Sequence, residues 1–450
     1  MIDPSGGKNY RRSRISKNFG LYFYSSEKKA MKIYQLLAKM LGQKLHLDLP
    51  YFIKNSTFAF IQQTIGVTCG LIVSYIFGHF ISVQTFGEYS LVLSLLGLLN
   101  FLGLSEIDTP LTQSVSRGYD GSLITTARIK FGLSLIGIPI LLGFALFYYL
   151  RNQTSIAIIL VFITLLLPLL NTFTSYPAFL VAKRKFMSLS LLGILSSLFF
   201  VITITAASWI TKSSLGITIA YLVAITVPAI VGYAYCIKSV AKNFKIDPKL
   251  FQYGKFLTLL SILPWISGNI GSILLGTFIG PEALAIYAVA SRFLTAVQKN
   301  FVVFYKPVTA KLAGQSSSAH QEVLRKHAIK LLLIGLMLMA GLWLLLPLLV
   351  NFFFTAKYAA AITYGRYLSL ALIVLPFNWV VSDMMVYQKK THALIARSTI
   401  PHIIKIAMYL IVVPMYKIDG LVAITLLDRF TEPIIPFLSL TKTRIKFKRS

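Results

Sequence analysis

The chain has 450 residues, 56% of them hydrophobic and only 13% charged, with a mean hydropathy of +0.73. So little charge cannot coat a water-soluble globule of this length, which excludes a soluble fold and points to an all-α, polytopic membrane protein. The net charge of +30 would suit a nucleic-acid binder, but the cations fall in the tails and in alternate connections between apolar runs, which excludes nucleic acid as the partner.

Residues 1–54 are basic and weakly amphipathic, and no apolar core precedes a small-residue cleavage site in the first stretch. They read as a cytoplasmic tail, either partly disordered or an interfacial helix drawn to anionic membrane lipid. A helix crossing about 30 Å of hydrocarbon needs about 20 apolar residues, and about twelve such runs follow. In chain order they predict spans at 58–80, 88–105, 131–150, 155–180, 188–209, 215–237, 256–279, 283–304, 331–354, 364–387, 400–416 and 421–440. The two cysteines, Cys69 and Cys236, sit inside these runs and read as packing residues, not a disulfide framework.

Loop charge gives the orientation. The even-numbered connections hold Arg117, Arg128 and Lys130, then Lys183, Arg184 and Lys185, then a run from Lys238 to Lys255. Later even connections and the tail 441–450 are equally basic, whereas the odd ones offer only Arg151, Lys212, Lys357 and Lys417. Both termini are therefore expected in the cytoplasm.

Sliding the first span onto the seventh aligns Phe58 with Phe256, Gly70 with Gly268, Ile72 with Ile270, Ser74 with Ser272, Gly78 with Gly276 and Tyr89 with Tyr287. This internal duplication predicts two six-helix lobes, 55–245 and 246–440, related by a pseudo-two-fold axis along the membrane normal with a central cavity between them. Two such lobes rocking about a shared path are the architecture of alternating access.

The eighth span carries the most chemistry. Ser291, Arg292, Thr295, Gln298, Lys299 and Lys306 recur near one face of a 3.6-residue helix. With about 1.5 Å of rise per residue, Arg292 lies about 14 Å from the outer end, near mid-bilayer, and Lys299 about 10 Å deeper. An Arg at that depth costs at least about 2.5 kcal/mol unless it faces a wet cavity or a partner. The functional reading is a cationic column for an anionic headgroup, with Arg292 a bidentate phosphate ligand. The bland reading has Lys299 and Lys306 snorkelling toward the cytoplasm and Arg292 paired with an acid. The expectation is snorkelling for Lys306 and substrate for Arg292, because mid-membrane acids are scarce.

The 14 acids lie mostly in tails and connections. Glu106 and Asp108 are level with Lys299 and Lys306, as an inner gate or as plain interfacial pairs. Asp383 lies near the cytoplasmic end of the tenth span. In the twelfth, Arg429 and Glu432 stand at i, i+3 and neutralise each other, leaving Asp428 to Lys405 or to a proton; it is a candidate for ion coupling. Gln62 and Gln63 on the first span and Asn269 on the seventh, beside glycines that suit close helix packing, are candidate hydrogen-bonding groups for sugar hydroxyls. Pro264 and Pro376 are expected to bend their helices. No phosphate-binding loop, dinucleotide turn, zinc pattern or nucleophile elbow is present, so no catalytic residue, metal or cofactor is expected.

The stretch Gln84-Thr-Phe-Gly-Glu-Tyr-Ser90 after the first span, and Gly280-Pro-Glu-Ala-Leu-Ala-Ile-Tyr-Ala-Val-Ala290 after the seventh, resemble the paired signatures of Wzx-type polysaccharide flippases. These belong to the multidrug/oligosaccharidyl-lipid/polysaccharide exporter superfamily, and Phe354-Thr-Ala-Lys-Tyr-Ala-Ala-Ala361 is similar too. The resemblance runs from about Asn55 to the C-terminus. It implies that an undecaprenyl-pyrophosphate-linked oligosaccharide, an O-antigen (lipopolysaccharide) or capsule repeat unit, is moved from the cytoplasmic to the periplasmic leaflet of the bacterial inner membrane. The implied cationic cavity is matched by Arg292 and Lys299. A glycan polymerase and a chain-length regulator are candidate partners. The competing readings are a multidrug or small-solute antiporter, which for organic cations wants an acidic cavity, and a non-transporting scaffold. The first span lacks the acid typical of drug-exporting relatives, and the loop Ser116-Arg-Gly-Tyr-Asp-Gly121 departs from the major-facilitator pattern.

Overall fold

The computed structural model describes residues 49–310, 317–388 and 391–441; residues 1–48 and 442–450, nearly all of both expected tails, lie outside them. The described residues from 63 onward form one compact unit, and those up to 62 belong to another. The described part of the shorter unit is the opening stretch of a single helix, Leu49–Phe80 (α1).

Then come α2 (Val83–Gly103), α3 (Ser122–Leu150), α4 (Thr154–Ala182), α5 (Phe186–Ile210), α6 (Ser214–Val240) and α7 (Leu250–Ile279). They are followed by α8 (Pro281–Ala310), α9 (Ser317–Phe354) and α10 (Ala360–Tyr387). No strand occurs among the described residues. Ten stretches there are long and apolar enough to cross a membrane. The stretch Pro281–Ala310 is not one of them, because a polar face lowers its hydropathy, yet at about 1.5 Å per residue its length suffices.

The last of the ten, His392–Leu440, holds two spans. Within Thr391–Thr431 the helix breaks at Lys417, with φ 53° and ψ −130°. Lys405 Nζ and Asp428 Oδ2 meet at 2.7 Å, whereas their spacing along a straight helix would be about 35 Å. The chain therefore doubles back into two antiparallel arms, α11 (391–416) and α12 (418–431), the latter continued by Ile434–Thr441. Adding α8 and dividing this hairpin brings the spans to the expected twelve among the described residues, α1–α6 and α7–α12 forming the two lobes. Most predicted spans begin too late: α3 opens at Ser122 where hydropathy placed 131, because Lys130 and the hydroxyl residues before it lower the average while remaining helical.

The lobes meet along α2, which packs against both α7 and α8. Gly87 makes the approach possible, since any Cβ there would collide with the Pro281 carbonyl. Gly280, at φ +131°, turns α7 into α8 in a conformation that side-chain-bearing residues rarely adopt. At this charge-poor end, rings from both lobes interlock. Phe86 lies 5.2 Å from Phe77, 6.3 Å from Phe354 and 6.2 Å from Tyr358, and Phe293 lies 6.1 Å from Phe354. Beside them the Tyr148 and Thr277 hydroxyls are 2.5 Å apart, and the Arg151 guanidinium stacks 4.9 Å from both Phe147 and Phe278. Apolar rings and one latch of hydrogen bond and cation–π contact thus seal that end.

The basic end is tied differently. Asp120 pairs with Lys183 and accepts from the Lys242 amide at 2.8 Å. Asp247 accepts from the Ser114 hydroxyl at 2.6 Å and the Lys249 amide at 2.9 Å, and these bonds, with Arg117 nearby, hold its carboxyl below the usual range. These acids join the connections around residues 112–122 to the segment 241–249, where the expected lobe boundary falls.

Candidate functional site

Between the lobes lies a cavity of about 630 Å³. Its wall from the first lobe is built by α1 (Gln63, Gly66, Gly70, Ser74), by α2 (Phe86, Tyr89, Ser90, Ser94) and by Phe200 and Tyr221. The facing wall is Ser272 on α7 and a face of α8 running from Tyr287 through Ser291, Arg292, Thr295 and Lys299 to Asn300. The internal repeat pairs Ser74 with Ser272 and Tyr89 with Tyr287, and all four line this one space, as an axis passing through it requires.

Symmetry fails in the charge. The position equivalent to Arg292 in the first lobe is Ser94, so one wall carries hydroxyls and the other two cations. No carboxylate lines the cavity among the described residues. Arg292 Nη2 donates to the Gly70 carbonyl at 3.2 Å and forms no ion pair among the described residues. That carbonyl also accepts from the Ser74 hydroxyl at 2.7 Å. Seven residues earlier on α1, Gln63 Nε2 donates to Asn300 Oδ1 at 3.3 Å, so α1 and α8 face each other antiparallel across the space. The side chain of Arg292 is half-buried, and those of Thr295 and Lys299 are exposed to the opening.

Of the residues singled out from sequence, Arg292, Thr295, Lys299 and Gln63 come together here; three others do not. Gln298 turns off the lining face, its buried Nε2 finding no acceptor among the described residues. Asn269 is a packing group: its amide donates to the Trp265 carbonyl at 2.9 Å, and its carbonyl occupies the place a Cβ on Gly97 would need. Gln62 is half-buried at the end of the shorter unit and takes no place in the lining. Sequence reasoning missed Tyr89, Ser90, Ser94, Tyr221, Ser272 and Tyr287. For Tyr89, Ser272 and Tyr287 the signal was present, since the repeat alignment had matched them with their partners.

The proposed gate acids sit elsewhere. Asp108 binds Lys130 Nζ at 3.1 Å and the Ser175 hydroxyl at 2.6 Å, inside its own lobe and not against Lys299. The reason is proximity in that lobe: Lys130, with only 2% of its side chain exposed, needs a counter-charge, and α4 places Ser175 beside it. Glu106 is half-buried, and burial together with the Asp108 charge raises its carboxyl above the ordinary value. The side chain of Lys306 lies outside those described. Asp383 is half-buried on α10 and is not a lining residue. Asp428 takes Lys405, and Glu432 joins Arg429 at 3.2 Å and Arg397 at 3.0 Å, so these two acids are neutralised within the C-terminal hairpin. A Tyr409–Thr425 hydroxyl contact of 3.1 Å links this network toward Tyr287 on the cavity wall. Among the described residues no group of acids, histidines and cysteines is placed to hold a metal.

A family model described as "polysaccharide biosynthesis protein" matches residues 52–313. Among solved structures, the chain is similar to a multidrug resistance MATE family transporter of the MOP superfamily in an inward-facing conformation. The TM-score there is 0.65, at 15% identity over 85% of this chain and 96% of that one. It is similar to the lipid II flippase MurJ in an inward closed conformation, with TM-score 0.60 and 15% identity over 86% of this chain and 87% of that one. A third likeness is to a MOP superfamily transporter from Pyrococcus furiosus whose reverse polarity of binding pocket suggests a different function. It gives TM-score 0.59 and 16% identity over 86% of this chain and 95% of that one. No curated protein matches the chain. At these identities the structures establish a shared two-lobe fold.

Proposed function

The chain belongs to the polysaccharide biosynthesis protein family, and from that membership we propose that it is a flippase for a polyprenyl-pyrophosphate-linked oligosaccharide. The basic end faces the cytoplasm, the membrane is the bacterial inner membrane, and the substrate passes from the cytoplasmic to the periplasmic leaflet by alternating access. The observation that carries this reading is the charge of the cavity, with two cations on α8 and no lining carboxylate among the described residues. Such a space attracts an anion and repels an organic cation.

In this reading the pyrophosphate meets Lys299 first and then Arg292, whose planar fork matches two phosphate oxygens. The hydroxyls of Ser90, Ser94, Tyr89 and Tyr287, with Gln63 and Asn300, hydrogen-bond the sugars, which lie against Phe77, Phe86 and Phe200. The aromatic seal at the charge-poor end opens when the lobes rock. The family's glycan pathway and the lipid II flippase fold both support the substrate class.

The test is export in a cell that lacks its own flippase and carries the matching glycan genes. Wild type restores surface glycan, and R292A and K299A do not while still inserting in the membrane. Normal surface glycan in both variants, or extrusion of ethidium by wild type in a pump-deficient host, refutes the proposal in favour of a drug exporter.

A further inference from the structure

A second cavity, of about 410 Å³, flanks the first beside α1. It is bounded by Gly66, Cys69 and Gly70 on α1, by Ser196, Ser197 and Phe200 on α5, by the α6 stretch that includes Ala224 and Ile225, and at one end by Thr174 and Tyr176 of α4. Three residues, Gly66, Gly70 and Phe200, line both spaces. At the two glycines the wall has no side chain: a Cβ on Gly70 would meet nothing within 4 Å, and one on Gly66 would meet only Ser197 Oγ at 3.7 Å. The cationic cavity and this second one therefore adjoin past these glycines through a gap between α1 and α5, where Phe200 also borders both. The Gly70 carbonyl that holds Arg292 lies at that gap.

The two spaces differ in chemistry. The second has no charged lining residue, and the neighbouring Ile72 and Leu198 are 43% and 45% exposed on the surface that meets hydrocarbon. Its volume falls in the range of about 300–1,000 Å³ typical of ligand sites. An amphiphile with its phosphates on Arg292 has its hydrocarbon within reach of an adjoining recess that is uncharged and mostly apolar.

We infer that the pocket between α1, α5 and α6 receives the first isoprene units of the substrate's lipid tail, so that the headgroup is carried in the central cavity while the chain leaves through the α1–α5 gap. This inference rests on the flippase reading, and it names the part of the protein that recognises the lipid. The gap also lets a long tail stay in the membrane throughout the cycle, since an apolar chain has no gain from entering a polar cavity.

The experiment uses the full-length protein in detergent and two probes, inorganic pyrophosphate and farnesyl pyrophosphate. Binding is measured for wild type, S197L, I225W and R292A; Ser197 and Ile225 line only the second pocket, from different helices. Wild type is expected to bind farnesyl pyrophosphate at least about tenfold more tightly than pyrophosphate, because apolar surface is buried. S197L and I225W should cut that advantage to under about threefold with pyrophosphate affinity unchanged, which also shows that they are folded; R292A should weaken both probes. If the farnesyl advantage survives in both pocket-filling variants, the inference falls and the flippase reading stands. If farnesyl pyrophosphate binds no more tightly than pyrophosphate in wild type, and a co-purifying phospholipid is lost in S197L, the pocket holds an ordinary bilayer lipid and the inference falls. If neither probe binds, or binding ignores R292A, the flippase reading itself falls and takes this inference with it.

Discussion

Replacing Arg292 with Ala separates function from stability. The guanidinium is half-buried toward the middle of α8, and a charge at the centre of a spanning helix costs about 2.5–3.5 kcal/mol. The only hydrogen bond it makes among the described residues goes to the Gly70 carbonyl, which keeps the Ser74 hydroxyl when Arg292 is gone. The variant thus orphans no acceptor and strands no carboxylate, and its melting temperature should hold or rise. Binding should move the other way. A hydrogen bond to a charged group is worth about 1.5–3 kcal/mol, and about 1.4 kcal/mol is a factor of ten, so loss of one phosphate contact weakens pyrophosphate about tenfold to a hundredfold. R292K keeps the charge but not the fork and should fall between wild type and R292A. Calorimetric titration with inorganic pyrophosphate at two salt concentrations, beside a thermal melt, gives both quantities. An unchanged dissociation constant in R292A, or a collapse of its melting temperature, would refute the reasoning by showing that Arg292 is a structural residue.

K405A strands Asp428 in the middle of the hairpin and should cost about 3–5 kcal/mol; the double variant K405A/D428A should recover most of this in a thermal melt, and failure to do so would mean that Asp428 has another partner. Y148F removes the hydroxyl bridge to Thr277 across the charge-poor end, worth about 1 kcal/mol. It should raise labelling of a cysteine placed at Ser74 by an impermeant thiol reagent about fivefold, in a background lacking Cys69 and Cys236. Asp247 has a folded-state pKa depressed below its ordinary 3.8 by Ser114 and Lys249, so its contribution is present above the unfolded value and lost as pH falls through the depressed one. D247N should therefore melt lower than wild type at neutral pH, with the difference vanishing in strong acid.

Much of the fold was legible in the sequence because the bilayer reduces folding to a few readable quantities. Apolar length gave the spans, and the Tyr89–Tyr287 and Ser74–Ser272 repeats gave the lobes and two pairs of facing residues. The stripe on α8 was legible because Arg292 and Lys299 are too costly to place against lipid. What the sequence hid depends on neighbours. Asn269 and Gln63 are alike as amides, and only the approach of Gly97 to one and Asn300 to the other makes the first a packing group and the second a lining residue. Asp108 was matched with cations at its own depth, whereas Lys130 reaches it from inside α3, which opens at Ser122 and not at the predicted 131. The pocket beside α1 left no trace at all, because two glycines and two serines have the composition of ordinary helix packing.

The central claim is that this chain carries an anionic, lipid-linked headgroup between leaflets. Proteoliposomes loaded with a fluorescent polyprenyl-pyrophosphate oligosaccharide, reconstituted with wild type or R292A and treated with a membrane-impermeant quencher, test it most directly. Wild type should bring the protected headgroups out to the quencher, and R292A should leave them at the rate of protein-free vesicles. Equal rates in all three samples, from wild-type protein shown by melting to be folded, would contradict the account.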